Sequence, residues 1–335
     1  LIKEMRGPRQ READLRAQLA ANRAGASRIA ELCRRFGLDT FKAAMRETLD
    51  YAERRTRAAI ADMEDGTREA TDLLEAPDQD LELHLKATID GNELTLDFTG
   101  SADQYDGNLN CPLAVTMSAC YFAVRVLADP DVPPCAGAYR PITIKAPAGS
   151  ILNANAPAAV AGGNVETSSR VADLVLQAFG RALGQGTMNN LTLGNDDFAY
   201  YETLGGGQGA CEDADGPSAV HVAMSNTLNT PIEALELEFP LRAVEYAVRR
   251  NSGGAGRHRG GDGVVREVEA LEDMTYSLIT ERRRHAPKGA NGGAPGAKGR
   301  NLVNGEELPP KAAGTLRRGD RLRIETPGGG GHGEA

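Results

Sequence analysis

The sequence predicts an α+β fold, with an N-terminal helical segment, a mixed α/β region and a β-rich, glycine-rich C-terminal half. Three observations predict it. Apolar residues recur at helical spacing over the first 64 residues, apolar and polar residues alternate from residue 81, and short strand-like runs separated by glycine clusters begin near residue 190. The 335 residues are 41% hydrophobic and 25% charged, which is enough for a sizeable core.

These changes in pattern also predict three regions along the chain. We expect a helical segment at 1–66, an α+β region with a hairpin and buried helices at 67–185, and a β-rich region with glycine loops at 186–335. The alternative is that 67–335 forms one domain. The chain begins without Met and enters a helical pattern almost at once, so we expect it to be the C-terminal portion of a longer polypeptide.

Composition argues against several classes of function. The net charge of −9 disfavours nucleic acid and anionic membrane surfaces as partners, and 4% aromatic content supplies few base-stacking side chains. Five scattered cysteines without a C-x-x-C pair indicate a reduced, cytoplasmic compartment rather than a disulfide framework. No apolar run reaches 18 residues, so the sequence predicts no transmembrane helix.

The first segment is predicted to be helical over 12–64. Gly25 and Gly37 divide it, and Asp39 or Thr40 is a candidate cap for the helix that follows Gly37. In that helix the apolar residues fall near one face, which we expect to point inward. This predicted inward face consists of Phe41, Met45, Leu49, Ala52, Ala59 and Met63.

The later elements are predicted from the spacing of apolar residues and from the turn residues between apolar runs. Alternation over 81–89 and 93–98, on either side of Asp90-Gly91-Asn92, predicts a β-hairpin. An apolar run at 111–129 predicts a buried helix and 168–183 predicts an amphipathic one. Further strands are predicted at 234–240, 245–250, 263–271, 275–281 and 320–326.

The run RRNSGGAGRHRGGDG at 249–263 has the glycine content of a phosphate-binding loop. Such a loop needs a helix after it, whereas GVVREVEAL follows with β-branched alternation and no cap. We therefore predict an ordered turn between strands, with positive φ at several glycines. No G-x-x-x-x-G-K-[ST] motif occurs, so an ATP site made by this chain alone is not expected.

Metal and nucleophile motifs are absent from the sequence. The five histidines show no H-x-x-x-H or H-E-x-x-H spacing, and there is no G-x-S-x-G. Glycine-flanked polar runs stand out at 161–170, 205–210, 225–236 and 326–333. In the first run, Gly162 and Gly163 give the backbone conformational freedom, and Ser168 is a candidate cap for the helix that follows. This run is therefore either a helix cap alone or part of a functional site, and both readings remain open.

Several of these runs together resemble one known family. The stretches DFTGSADQYDGNLNCPLAVT, AGGNVETSSR, NTLNTPIEALE, RRNSGGAGRHRGGDG, ERRRHAPKGANGGAPGAKGRN and GDRLRIETPGGGGHG resemble the B subunit of the hydantoinase/5-oxoprolinase family. The resemblance implies the B component of an ATP-dependent cyclic-amide hydrolase that opens hydantoin, N-methylhydantoin or 5-oxoproline rings. The alternatives are the equivalent subunit of an acetone or acetophenone carboxylase, and an inactive or scaffold fragment.

The resemblance also implies partners and cofactors. It implies a hetero-oligomer with an A-type ATPase subunit that holds ATP and Mg, a small cyclic-amide substrate, and no cofactor bound by this chain alone. A divalent metal is implied in an N-terminal region of the family that precedes the helices seen here.

Site residues are carried over from the matching motifs. We expect catalytic roles for Glu166, Asn229, Ser252 and Arg282, with Arg282 pairing with a carboxylate or phosphate oxygen. We expect substrate contacts from Gly162, Gly163, Thr167, Gly253, Gly254 and Arg259.

Overall fold

The structure, a computed structural model, describes residues 8–335 and has the predicted α+β character. The helices are α1 (Pro8–Phe36), α2 (Leu38–Ala61), α3 (Leu113–Leu127), α4 (Ala136–Tyr139), a π-helix (Gly163–Thr167), α5 (Ser168–Ala178) and α6 (Ile232–Glu238). The strands of the first half are β1 (Gly66–Glu75), β2 (Asp80–Asp90), β3 (Glu93–Asp97) and β4 (Ile142–Lys145). Those of the second half are β5 (Asn190–Gly194), β6 (Ala199–Glu202), β7 (Leu241–Arg249), β8 (Gly263–Ala270), β9 (Met274–Ile279), β10 (Arg300–Val303), β11 (Glu306–Leu308), β12 (Lys311–Leu316) and β13 (Arg321–Glu325).

The N-terminal segment is helical, as predicted, but its division differs. α1 runs through Gly25 without a break, because a single glycine costs a long helix only about 1 kcal/mol. The break occurs at Gly37, whose φ of 84° a helix does not accept. α2 then starts directly at Leu38, so the prediction that Asp39 or Thr40 caps it is wrong.

The predicted inward face of α2 is only partly buried. Of its six residues, Ala52 is fully buried, whereas Met45 is 55% exposed. The second half of α2 packs against α4 and β3, and there Thr56 and Ile60 are buried. The first half of α2 and the side chains described for α1 lie almost entirely at the surface, because among the described residues these two segments contact mainly each other.

The first core lies between a four-stranded sheet and two helices. The sheet has the order β1-β2-β3-β4, and the predicted hairpin is present, with Asp90 paired with Glu93 around Gly91. α5 packs against β1 and β2 on one side and α3 on the other. It starts at Ser168 as predicted but ends at Ala178, since Gly180 takes the left-handed φ of 71° that stops a helix.

The second core lies between two further sheets, with the orders β11-β10-β13-β8-β7 and β12-β9-β5-β6. The four other predicted strands are present, but the prediction of a strand at 234–240 is wrong. That run forms α6, because Pro231 starts a helix in which Leu235 alone turns fully inward. None of the described helices is long and apolar enough to cross a membrane.

The glycine clusters form a third packing element, made of backbone against backbone. The segment 327–332 runs between three others, 205–210, 252–261 and 287–297, and hydrogen-bonds to each of them. A Cβ on Gly260 would stand 2.0 Å from the Gly329 carbonyl oxygen. The prediction of positive φ at several glycines of 249–263 is wrong: in that run Asn251 has φ 66°, and the glycines serve close approach instead.

We expect Gly329→Ala to destabilise the protein by about 3 kcal/mol or to prevent folding, because its Cβ would stand 1.9 Å from the Gln208 carbonyl oxygen. The measurement is the free energy of unfolding from denaturant titration. Gly25→Ala is the matched control, since a Cβ on Gly25 meets nothing within 4 Å and alanine favours the helix. Equal stability of the two variants would contradict this account of the glycine packing.

Candidate functional site

The predicted site residues fall into three places. Arg282 lies at the centre of one buried polar network and Glu166 lies at its edge, with Gly163 and Thr167 on the neighbouring π-helix and Gly162 just before it. Ser252, Gly253, Gly254 and Arg259 belong to the glycine packing element, where Ser252 donates to the Arg249 carbonyl oxygen and accepts from the Gly263 N–H. Asn229 lies apart, in the loop that precedes α6. The roles predicted for these residues stay predictions.

The π-helix is held against the loop 108–111. The N–H groups of Gly162 and Gly163 donate to the Asn108 carbonyl oxygen, and the Thr167 hydroxyl donates to the Leu109 carbonyl oxygen. A Cβ on Gly163 would stand 2.0 Å from the Asn110 oxygen, so this approach requires glycine. Such one-turn widenings of a helix occur often at functional sites.

Ser168 does not cap α5, contrary to the prediction. The π-helix runs into α5 without a break, and the Ser168 hydroxyl donates to the Asn164 carbonyl oxygen four residues earlier. Continuous helical backbone leaves no free N–H group for this side chain to cap.

Two guanidinium groups form the centre of the buried network. Arg282 binds Asp72 with both terminal nitrogens, at 3.2 and 2.8 Å, and reaches Asp173 at 2.6 Å. Arg170 binds the same two carboxylates, at 3.2 and 2.9 Å. Both arginine side chains are fully buried. Arg282 therefore makes a bidentate contact with a carboxylate group of the protein itself, that of Asp72 on β1.

A second layer of the network contains Glu281, Glu75 and Lys311. Glu281 accepts from Arg170 at 3.2 Å and from the ammonium of Lys311. Glu75 accepts hydrogen bonds from the backbone N–H groups of residues 283–285 and thereby fixes the turn that follows β9. Arg282 stands in this turn with a φ of 60°, which a non-glycine residue adopts only when its surroundings hold it there.

Glu166 lies beside this network with half of its carboxyl group unpaired. One oxygen accepts the Met188 N–H at 3.2 Å, and the other, Oε2, is buried with no hydrogen-bond partner among the described residues. Burial, and next the charge of Glu281, raise the pKa of Glu166 to about 8, while Lys311 opposes the rise. Glu166 therefore carries a proton at neutral pH.

The charges of the network, counted with Glu166, leave room for one bound proton, and burial raises the pKa of Asp173 as well, to about 7. The buried groups of the network are five carboxyl groups and four cationic groups, so one proton on a carboxyl group brings them to neutrality. They are Asp72, Glu75, Glu166, Asp173, Glu281, Arg170, Arg282, Arg283 and Lys311.

Lys311 connects the network to a surface cavity of about 430 Å³. The cavity lies between the loop 105–109 on one side and β9 and β12 on the other, and Lys311 is among its lining residues. The same loop holds the π-helix through Asn108 and Leu109. A small molecule in this cavity would meet a cationic side chain backed by buried, exchangeable protons.

The partners of Arg282 and Glu166 were not found from the sequence. Asp72 lies on the buried face of β1, Glu75 is buried at the end of that strand, and 210 residues separate Asp72 from Arg282. Charged residues usually mark a solvated surface, so no local signal pointed to them. Among the described residues, no group of three or more His, Cys, Asp or Glu side chains is arranged to hold a metal ion.

Comparison with known proteins gives a consistent result. The model of the family Hydantoinase B/oxoprolinase matches residues 1–335. The chain is 41% identical to 5-oxoprolinase 1 of Arabidopsis thaliana, across 96% of this chain and 27% of that protein. It therefore spans about a quarter of the length of that relative.

Two solved structures share the fold. An ATP-dependent caprolactamase from Pseudomonas jessenii superimposes with a TM-score of 0.88 at 27% identity, over 99% of this chain and 62% of that one. A nucleotide-free acetone carboxylase superimposes with a TM-score of 0.84 at 17% identity, over 98% of this chain and 53% of that one.

We expect Glu166→Gln to gain stability relative to the wild type as pH rises from about 5 to 8. The folded-state pKa of Glu166 lies above its unfolded value of 4.5, so in this window the folded wild type holds a proton that the unfolded chain has released. This linkage lowers wild-type stability with rising pH, and glutamine removes it. Denaturant titrations at pH 5, 6, 7 and 8 test this, with the exposed Glu69→Gln as control. A constant difference between Glu166→Gln and wild type would contradict the raised pKa.

We expect Arg282→Met to cost about 3–5 kcal/mol of unfolding free energy, because Asp72 and Asp173 lose one of their two shared buried cations. The matched control is Arg317→Met, whose ion pair with Asp273 is exposed and contributes about 0–1 kcal/mol. Similar losses in the two variants would show that Arg282 does not organise the network.

Proposed function

Since the chain belongs to the hydantoinase B/oxoprolinase family, we propose that it is the B component of an ATP-dependent cyclic-amide hydrolase. The substrates proposed are rings such as 5-oxoproline, hydantoin or N-methylhydantoin. The 5-oxoprolinase and the ATP-dependent caprolactamase among its relatives support this class, because their names describe action on cyclic amides.

The observation that carries the proposal is the protonated Glu166 behind the Lys311 cavity. Ring opening of an amide requires a proton for the departing nitrogen, because an unprotonated amide nitrogen is a poor leaving group. Lys311 lines the cavity and its ammonium can donate that proton. Glu166 holds a further proton in the same buried group of charges, and its Oε2 atom is free to pass it on.

In the proposed reaction, a partner first phosphorylates the amide oxygen, which makes the carbonyl carbon electrophilic. Water adds to that carbon and the ring C–N bond breaks, which leaves an acyl phosphate. A second water then hydrolyses the acyl phosphate to the carboxylate and phosphate. The nitrogen takes a proton from Lys311, and Lys311 is reprotonated from the Glu166 side. The proton released by the attacking water restores the charge of the network.

The proposal assigns ATP and Mg to an A-type ATPase subunit, since no nucleotide motif occurs in this chain. The assembly is then a hetero-oligomer. We place it in the cytoplasm, where its five free cysteines would stay reduced.

The test is substrate-dependent ATP hydrolysis by the full-length protein with its A-type partner. We expect Glu166→Gln to lower kcat about 100-fold while KM changes little, because the loss affects proton supply rather than binding. We also expect wild-type kcat to fall above about pH 8, as Glu166 loses its proton, and the variant to lack that limb.

Glu69→Gln, an exposed change on β1, is the control and should leave kcat unchanged. Release of an N-carbamoyl acid or glutamate identifies the hydrolase. A bicarbonate requirement with a new C–C bond would indicate the carboxylase instead. Absence of any substrate-dependent ATP hydrolysis would indicate a scaffold and would contradict the proposal.

A further inference from the structure

Outside the Lys311 cavity, a second group of buried polar atoms is left without partners. Arg266 is 1% exposed, and both of its terminal nitrogens lack a hydrogen-bond partner within residues 8–335. Its Nε atom alone is bound, to Glu202 at 3.2 Å. The hydroxyl of Tyr200, 3% exposed, makes no hydrogen bond of ordinary length in the described chain, although Thr230 and Glu202 lie close enough to influence its pKa. Unpaired buried donors are costly and therefore rare in native proteins.

These groups meet because two sheets face each other. On β6 the side chains alternate, so Tyr200 and Glu202 point into the second core while Tyr201 points to solvent. Arg266 stands on β8 beside Val268, on the face that contributes to the same core. The charges of Glu202 and Arg266 both act on the pKa of Tyr200, which burial raises to about 12, so the hydroxyl stays a donor.

One aromatic ring and one loop residue cover the guanidinium. The ring centroid of Tyr246, the cross-strand neighbour of Arg266, lies 4.8 Å from the guanidinium carbon. The Tyr246 hydroxyl donates to Asn229 at 2.6 Å, and Asn229 donates in turn to Glu202 at 3.3 Å. Tyr246 is 40% exposed and Leu228 is 98% exposed, so this cover is a single layer at the surface.

We propose that Arg266 and Tyr200 form a binding site for a carboxylate group, closed by Tyr246 and Asn229. The two terminal nitrogens of an arginine match the two oxygens of a carboxylate, and the Tyr200 hydroxyl supplies a third donor. This site goes beyond the proposed hydrolase function, which does not depend on it.

The local charge selects the class of anion. Glu202 already places one negative charge on the Nε side of Arg266, and its other oxygen accepts from Asn229. A carboxylate adds a single charge, whereas phosphate near neutral pH adds up to two beside the same carboxylate. The site therefore fits a monoanionic carboxylate better than a phosphate group.

The carboxylate has two sources to distinguish, a free small carboxylate or a 5-oxoproline molecule bound here, apart from the Lys311 cavity. Hydantoin has no carboxylate group, so a comparison of its binding with that of 5-oxoproline distinguishes the two sources. In both cases binding requires Tyr246 and Asn229 to move, and that movement would expose the two terminal nitrogens of Arg266.

The experiment measures binding to the full-length protein without ATP, by calorimetry and by the rise in Tm. The probes are formate, 5-oxoproline, hydantoin and inorganic phosphate, each at one ionic strength set with chloride. We expect formate to bind, and Tyr200→Phe to weaken that binding about tenfold through one lost hydrogen bond. Without formate, Tyr200→Phe should unfold at the same Tm as wild type or higher, because it removes an unpaired buried hydroxyl.

Tyr201→Phe is the matched control: its hydroxyl lies on the outer face of β6 and binds Asn190 at 2.5 Å. It should leave formate binding unchanged. Arg266→Lys, which keeps the charge but loses the fork, should weaken formate binding at least tenfold.

Tighter binding of 5-oxoproline than of hydantoin, lost in Tyr200→Phe, would support the site and assign 5-oxoproline as its source. Formate binding that is sensitive to Tyr200→Phe, without such a difference, would support the site for a free carboxylate. Equal formate binding by wild type and both site variants, or a preference for phosphate, would overturn the proposal.

Discussion

Arg170 and Arg282 hold the two halves of this protein together from inside. Their guanidinium groups share the carboxylates of Asp72, from the first sheet, and Asp173, from the helix packed on it. Arg282 comes from the turn after β9, which belongs to the second pair of sheets. The separate apolar cores on either side are thus joined by ion pairs, and each charge depends on its neighbours because none is reached by water.

That arrangement explains why an acid can remain protonated deep in the molecule. A carboxylate in an apolar setting gains a proton readily, and the neighbouring Glu281 charge strengthens the effect. The segment 186–190 then links this region to the second polar group. Met188 binds Glu166, and Asn190 accepts from Thr203, which directly follows Glu202. One short segment therefore contacts both sets of residues. A displacement of the segment at Glu166 would also displace its contacts near Glu202.

Much of the architecture could be predicted from sequence, because alternation and glycine punctuation are local signals. The hairpin at Gly91 and the strand after Gly263 follow from such signals. The run at 234–240 was misread because LELE alternation fits a strand while Pro231 favours a helix. For the site, Glu166 and Arg282 were selected through family resemblance, yet Asp72, Lys311, Arg266 and Tyr200 were missed. Their roles come from burial and from partners far along the chain, which no spacing rule encodes.

The glycine packing has a consequence for how this part of the chain can change. The atoms that crowd most of these glycines are the oxygens of other peptide groups, as where Gly328 faces the Ser252 oxygen and Gly331 faces the Ala255 oxygen. A clash with a side chain can be relieved by shortening that side chain elsewhere, but every residue carries the same peptide oxygen. A glycine lost here therefore cannot be rescued by shortening a neighbouring side chain, and a genetic screen should return true revertants or substitutions that stabilise the fold elsewhere.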